Sequence, residues 1–465
     1  MGITAAALAA VVVIASSQLP LPVALTHEQE RQRMLDLLGI ATLPPGAQGS
    51  SPETYDESRA TPYPTLPDPL TMKDGRKVTS AAMWPARRAE LLEDFAREVY
   101  GRRPSAIPQV SWQVVGTSRG REGDVATLTK HLLGRVDNAA YPHVSVNIVA
   151  LLTTPADLLQ AVPVVLQFGG FGMVLPEGVP TPPNPCVPPG TPPRRFPPPP
   201  ASAGPTWQQQ VLAKQWGYVV MHTTSVQADC AAGLTSGIIG LVNKGQPRAV
   251  DDWGALSAWA WGASRVLDYL ETDPAVDATK VAVQGHSRYG KAALVALAFD
   301  ERFATGYISS SGHGGAKLHR RRYGERIENL ASTYYYWMAG NYMKYAGRWD
   351  ALPVDSHALI ALVAPRPVFL SAGRGPDPVK PDGTVQGNDA WVDPKGSFLA
   401  AVGAGPVYEL LGKKGLGATD FPPIDTALVE GDIGFRQHTE GHVPGPTWPT
   451  FLTFAERYLG CGCSI

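Results

Sequence analysis

Five short apolar runs punctuate the second half of the chain: 162–168 (VPVVLQF), 217–223 (GYVVMHT), 280–284 (KVAVQ), a weaker 307–309 (YIS) and 367–371 (PVFLS). Helical stretches separate them, notably 253–271 and 290–299. Apolar strands alternating with helices predict a parallel sheet covered on both faces. Upstream, residues 111–152 alternate apolar and polar positions, the period of antiparallel strands with one wet face. Residues 27–39 and 84–101 show helical periodicity; Gly39 and Gly101 stand at the stops and Pro85 in a first turn.

Composition narrows this picture. The 465 residues are 44% hydrophobic and 17% charged, so a large core is available. Gly 48 and Pro 44 make the chain rich in loops. A net charge of -1 argues against a nucleic-acid partner, which needs a basic excess. Residues 176–205 are crowded with proline and read as a surface insertion in an extended conformation. An apolar run at 3–15 is too short for a bilayer and matches a leader, with Ala24 as a cleavage end, although no Lys or Arg precedes it. The expected organisation is a signal peptide over 1–25 and one catalytic domain over 26–465, secreted or periplasmic, monomeric and free of the membrane after processing. Four cysteines in loop-like contexts suit an oxidising compartment. Cys186 with Cys230 and Cys461 with Cys463 are possible pairs. A zinc role for the last two lacks a second ligand pair.

The chemistry concentrates at Gly285-His286-Ser287-Arg288-Tyr289-Gly290, between the strand KVAVQ and the helix KAALVALAF. Strand, tight turn and helix with Ser287 at the apex describe a nucleophile elbow, though the second glycine comes at +3 instead of +2. The helix N-terminus places backbone N–H groups near a developing oxyanion. On this fold the acid and then the base follow the serine in the chain. That order leaves His438 and His442, and His442 lies in a loop ahead of the helix TWPTFLTFAERYL, where the base belongs. For the acid, Asp377, Asp382, Asp389 and Asp393 all follow the strand PVFLS, and chain position alone favours Asp377.

The stretch GHSRYGK (285–291) resembles the G-x-S-R-x-G-K signature of the glucuronoyl esterases, carbohydrate esterase family 15. LPDPLTMKDGRKVTS, DDWGALSAWAWGASRVLDYLETD, SSGHGGAKLHRRRYGE and NDAWVDPKGSFL are similar to its bacterial branch. The resemblance covers about 27–460, apart from the Pro-rich insertion and the loop 373–388. It implies an α/β-hydrolase fold, a three-layer sandwich around a mostly parallel sheet, here with an N-terminal extension. It implies cleavage of esters between glucuronic acid on xylan and lignin alcohols. By the same resemblance Ser287 is the nucleophile, His442 the base and Arg288 part of the oxyanion hole. Lys291, Glu325 and Trp391 contact the sugar. One departure stands out: the position where many members carry the catalytic Glu is Ser310. The D-x-W-x-D-P pattern of other members maps onto Asp389-Ala390-Trp391-Val392-Asp393-Pro394 and implies Asp389 as the acid, against Asp377 from spacing.

Plainer readings stand beside these. Lys291 in a first helical turn suits a solvated surface residue. Glu325 could pair with the Arg320–Arg322 run, which is not read as a phosphate site. Trp253, Trp259 and Trp261 read as core. His313 stands where a smaller residue is usual in the family. An acetyl xylan esterase or general carboxylesterase would use the same triad, and a silent carbohydrate-binding protein would need neither Ser287 nor His442. No cofactor or metal is implied, since neither a phosphate loop nor a metal cluster is present in the sequence.

Overall fold

In a computed structural model the described residues are 19–170, 184–187, 204–374 and 388–460. They build one ten-stranded sheet. Its strands are β1 Val110–Glu122, β2 Val125–Val136, β3 Asn147–Pro155, β4 Val162–Gly169, β5 Gly217–His222, β6 Val276–His286, β7 Thr305–Ser309, β8 Val368–Gly373, β9 Ala427–Leu428 and β10 Ile433–His438. The spatial order is β1-β2-β3-β5-β4-β6-β7-β8-β10-β9. Pairing is antiparallel from β1 to β5, parallel from β5 through β4, β6, β7 and β8 to β10, and antiparallel again at β9.

Period-two alternation splits the central strands between two cores. Val164 and Leu166 of β4, Val281 and Val283 of β6, and Val368 and Leu370 of β8 face the larger one. The helices Ala255–Leu270 and Arg288–Phe299 cover that face. The residues between them, Val165, Ala282 and Phe369, face a smaller core closed by the helices Trp207–Ala213 and Trp448–Leu459. Helix, sheet and helix form the three-layer α/β-hydrolase arrangement. Trp253, Trp259 and Trp261 are buried in the larger core, as expected, although Trp253 stands just ahead of the helix and not on it.

Several elements differ from the sequence reading. The helix begun at Trp84 is regular only to Phe95 and closes with a wider π turn over Ala96–Tyr100. A buried helix spans Pro394–Leu410, a stretch to which the sequence reading assigned no element; it carries three glycines and Pro406, and docking against the sheet overrides weak propensity. β10 (IGFRQH) also escaped notice, because Gly, Arg and Gln break its apolar pattern. Residues 19–23, assigned to the leader, pack on the body. The Tyr141 hydroxyl donates to the Pro20 carbonyl at 2.6 Å, His143 Nε2 lies 3.0 Å from the Leu19 carbonyl oxygen, and the Val23 N–H donates to Gly245 at 2.9 Å. Cys186 and Cys230 form a disulfide, tying the Pro-rich insertion to the loop after β5. Cys461, Cys463 and most of 176–205 lie outside the described residues, as do Asp377 and Asp382.

Candidate active site

β6 ends at His286, and the next helix starts at Arg288. Ser287, between them, is held at φ 59° and ψ -127°. A non-glycine residue there stores about 1–3 kcal/mol of strain, which surrounding contacts must hold. Its N–H donates to the Ser309 carbonyl at 2.9 Å, locking the turn against β7. Gly290 explains the displaced second glycine: a Cβ there would stand 2.8 Å from the Ser309 carbonyl oxygen. The Ser287 N–H is engaged, and the Lys291 N–H donates to the Ser287 carbonyl at 3.2 Å. An oxyanion at Ser287 would therefore draw on the N–H groups at the very start of the helix that begins at Arg288, where a helix leaves its first donors without intrahelical acceptors.

The loop after β10 brings His442 to this turn. His442 and Ser287 line the same two cavities. His442 Nδ1 lies 2.6 Å from Asp389 Oδ1. Because a carboxylate only accepts, Nδ1 carries the proton and Nε2 is left as the acceptor. Asp389 is fully buried, and its Oδ2 accepts from the Ser310 hydroxyl at 2.7 Å and from the Gly373 N–H. Ser310, the residue at the vacated glutamate position, thus supports the aspartate. Gly373 also permits the close approach of the histidine loop, since a Cβ there would lie 2.1 Å from the Gly441 carbonyl oxygen. His438, the other candidate base, is buried at the end of β10 and makes no bond to the Asp389 carboxylate. Behind the pair, His286 packs its ring 4.4 Å from that of His442. Burial first, then the His442 charge, pull His286 down to about 3.

Arg288 reaches out from the elbow. Its Nη1 donates to Asp229 Oδ2 at 2.5 Å, and its guanidinium lies 5.3 Å from the Trp337 ring centre. Trp337 Nε1 donates to the other oxygen of Asp229 at 2.7 Å. Burial works against the Arg288 charge, but Asp229 outweighs it and holds the guanidinium above its ordinary value. The Cys186–Cys230 disulfide anchors the residue next to Asp229.

Lys291 is not a solvated surface residue. It is 4% exposed; its ammonium donates to the Ser311 carbonyl at 2.7 Å and to Glu325 Oε2 at 3.2 Å. Burial lowers its pKa and Glu325 opposes that. Glu325 Oε2 also accepts the His313 N–H at 3.2 Å, and the Glu325 N–H donates to the Trp391 carbonyl at 2.9 Å. Glu325 therefore does not pair with the arginine run: Arg320 pairs with Asp355 and Arg321 with Asp393 and Glu57, because successive side chains leave the loop in different directions. His313 is fully buried and bonds the Tyr342 hydroxyl at 2.7 Å.

These residues divide the surface at Ser287 into two spaces. A cleft of about 340 Å³ is lined by Lys291, Glu325, Trp337 and Trp391. A groove of about 1020 Å³ runs the other way over the sheet, past Thr129, Thr153, Gln167, Tyr218 and Val220. Ser287, Arg288 and His442 line both. Among the described residues, no group of three or more His, Cys, Asp or Glu side chains is placed to hold a metal ion.

Similarity to known proteins agrees with this geometry. Residues 248–412, which include the elbow, Glu325 and Asp389, match the family model "Glucuronyl esterase, fungi". A carbohydrate esterase, MZ0003, from an unknown prokaryotic organism is 33% identical over 88% of this chain and 92% of its own length. A solved CE15 glucuronoyl esterase from Teredinibacter turnerae superposes with a TM-score of 0.80 at 39% identity, covering 93% of this chain and 99% of that one. The chain belongs to carbohydrate esterase family 15, the glucuronoyl esterases. A 4-O-methyl-glucuronoyl methylesterase of Schizophyllum commune is a more distant member, 27% identical over 75% of this chain and 74% of its own. Membership makes the protein an esterase.

Sequence reasoning missed Asp229, Trp337 and the supporting role of Ser310. The aromatic run TYYYWM (333–338) was the available signal for Trp337. Asp229 had only its neighbour Cys230 to mark it.

Proposed function

We propose that the protein hydrolyses esters of glucuronic acid, with or without a 4-O-methyl group, by two-step acyl transfer at Ser287. The carrying observation is the joint placement of Ser287 and the His442–Asp389 pair at the mouth of a cleft whose wall is the buried Lys291–Glu325 pair. His442 Nε2 takes the proton as Ser287 Oγ attacks the uronoyl carbonyl. Asp389 holds the imidazole in the required tautomer and stabilises the imidazolium. N–H groups of the first helical turn and the Arg288 guanidinium face the oxyanion, each such donor contributing about 2.7–4 kcal/mol. The tetrahedral intermediate collapses, His442 returns the proton to the leaving alcohol, and water then repeats the sequence on the acyl-serine. Lys291, Glu325 and Trp391 receive the sugar hydroxyls and ring. The groove over the sheet is left for the alcohol, which in lignin–glucuronoxylan cross-links is aromatic.

Export is part of the same proposal. The apolar run at 3–15 and the Cys186–Cys230 disulfide support an oxidising compartment. Since residues 19–23 bind the body, we place the leader cut ahead of Leu19, near the small residues Ala15, Ser16 and Ser17. No helix among the described residues is long and apolar enough to cross a membrane.

Benzyl glucuronate and 4-nitrophenyl acetate, assayed with wild type and Ser287→Ala, test the reading. Cleavage of the uronate ester that vanishes in the variant is expected. Cleavage of acetate alone would replace it with a general carboxylesterase.

A further inference from the structure

Beyond the sugar cleft lies a third cavity, about 590 Å³, that the proposed mechanism does not use. Three arginines line it, Arg59, Arg322 and Arg326. A thin wall separates it from the cleft. Glu325 lines the cleft and its chain neighbour Arg326 lines the cavity. Asn329 lines the cleft, while its amide accepts from Ala47 N–H at 3.1 Å and donates to the Ala47 carbonyl at 2.9 Å; Ala47 faces the cavity. Two residues further on, Gly49 packs against the Trp391 ring.

The charges in this cavity differ from those of the neighbouring arginines. Arg320 and Arg321 are each neutralised by a carboxylate. Among the described residues, the side chains of Arg59, Arg322 and Arg326 make no direct ion pair and no hydrogen bond; Arg59 and Arg322 are exposed, while Nε of Arg326 is buried without a partner. Glu53 and Glu328 also line the cavity; Glu328 Oε1 accepts the Gly347 N–H at 2.8 Å and its charge favours the Arg326 cation without a direct ion pair, as the charge of Asp56 does for Arg59. Burial and then the charge of Arg322 disfavour the Arg326 cation; Glu328 opposes them only in part, and Arg59 adds to the repulsion. Unpaired guanidiniums converging on a concave space are stabilised by a planar oxyanion that takes parallel N–H donors.

We propose that this cavity binds the carboxylate of a free uronic acid on the same polysaccharide whose uronoyl ester occupies the cleft. The inference rests on the glucuronoyl esterase reading and follows from its chemistry. The group in the cleft is a neutral ester, so it does not account for three cations beyond the wall. Each turnover turns one ester into a carboxylate on the polymer, so remaining esters stand among free uronates. A cation site beside the ester site favours such partly de-esterified chains.

The test uses a xylo-oligosaccharide bearing one benzyl uronoyl ester and one free uronate, and the same compound with the free carboxyl reduced to an alcohol. Wild type should show a KM at least about fivefold lower on the acid-bearing compound, the scale of one charge-assisted contact at a partly exposed site. Raising salt from about 0.05 to 0.3 M should shrink that preference. Arg322→Gln/Arg326→Gln should abolish it while kcat/KM on benzyl glucuronate stays within about twofold, the range left to contacts outside the small substrate. Arg59→Gln alone serves if the double variant melts early. Equal KM on both compounds in wild type, or a preference that survives the arginine substitutions, overturns the proposal. Should benzyl glucuronate itself resist wild type, the esterase reading fails separately. Calorimetric binding of the two compounds then decides the cavity: acid-selective binding lost in the variants supports it, and equal binding overturns it.

Discussion

The two spaces that meet at Ser287 are built on opposite principles. The cleft wall is charged and buried: Lys291 and Glu325 are almost wholly covered, and Glu325 is held by a backbone N–H of the loop carrying His313. The groove wall is sheet surface, with hydroxyls, an amide and aliphatic side chains standing on alternate positions of β2, β3, β4 and β5. A buried ion pair costs desolvation and tolerates little change, so it discriminates strongly. An open sheet face presents a broad area, here with Glu122 and the shared Arg288 in its lining, and holds a partner less rigidly than a buried ion pair does. On the proposed reading, specificity for the acyl group and tolerance for the alcohol would follow from where the ion pair was placed.

Removing the junction should affect both sides at once. Ser287→Ala should cost at least about 10⁴-fold in kcat on every ester, whatever its alcohol. Residual activity that depends on the alcohol would mean a second nucleophile and break the comparison. Asp389→Asn should cost about 10³- to 10⁴-fold in kcat with KM little changed, because the imidazole loses its tautomer control. An unchanged kcat would return the acid's role to Asp377.

The cleft should fail next. Glu325→Ala leaves the Lys291 ammonium buried without its carboxylate and should destabilise the fold by about 3–5 kcal/mol, read by chemical denaturation. Lys291→Met/Glu325→Leu should recover much of that stability but not the KM for benzyl glucuronate. Recovery of both would make the pair structural only.

The same side should be sensitive to acid. Burial, and after it nearby cationic charge, pulls His313 well below its usual range. Burial also pulls His319 down to about 4, with Asp355 opposing. Both are neutral when folded, while the unfolded chain takes up their protons below about pH 6.5. Stability is therefore retained above that pH and lost as pH falls toward 4, at up to about 1.4 kcal/mol per pH unit for each histidine. Denaturation at pH 7 and pH 5 reads the slope, and His319→Gln should flatten it. The smallest effect belongs to the groove. Thr153→Val should change kcat/KM on benzyl glucuronate by less than about threefold and shift only the ranking of alcohols. A larger loss would show that the groove also orients the acyl group.

The fold was legible where apolar runs were unbroken, in β4, β5 and β6, because a strand buried on both faces requires them. It was illegible at β10 and at Pro394–Leu410, where tertiary packing tolerates Gly, Arg and Pro that local preference would exclude. In the site, Ser287 and His442 stood out because an elbow and a base loop have local signatures. Asp229 did not, since its bond to Arg288 joins residues 59 positions apart and leaves no periodic trace.

The sequence by itself determined the elbow, the chain order of the reacting groups and the alternation that makes a two-faced sheet. Each of these depends on neighbours within a turn or a strand. Only the tertiary structure decided that Asp389 bonds His442, that Lys291 turns inward to Glu325, and that Arg326 makes no direct ion pair among the described residues while Arg321 makes two. Those outcomes depend on which distant loops converge, and the direction of a charged side chain is set by the partner it finds there.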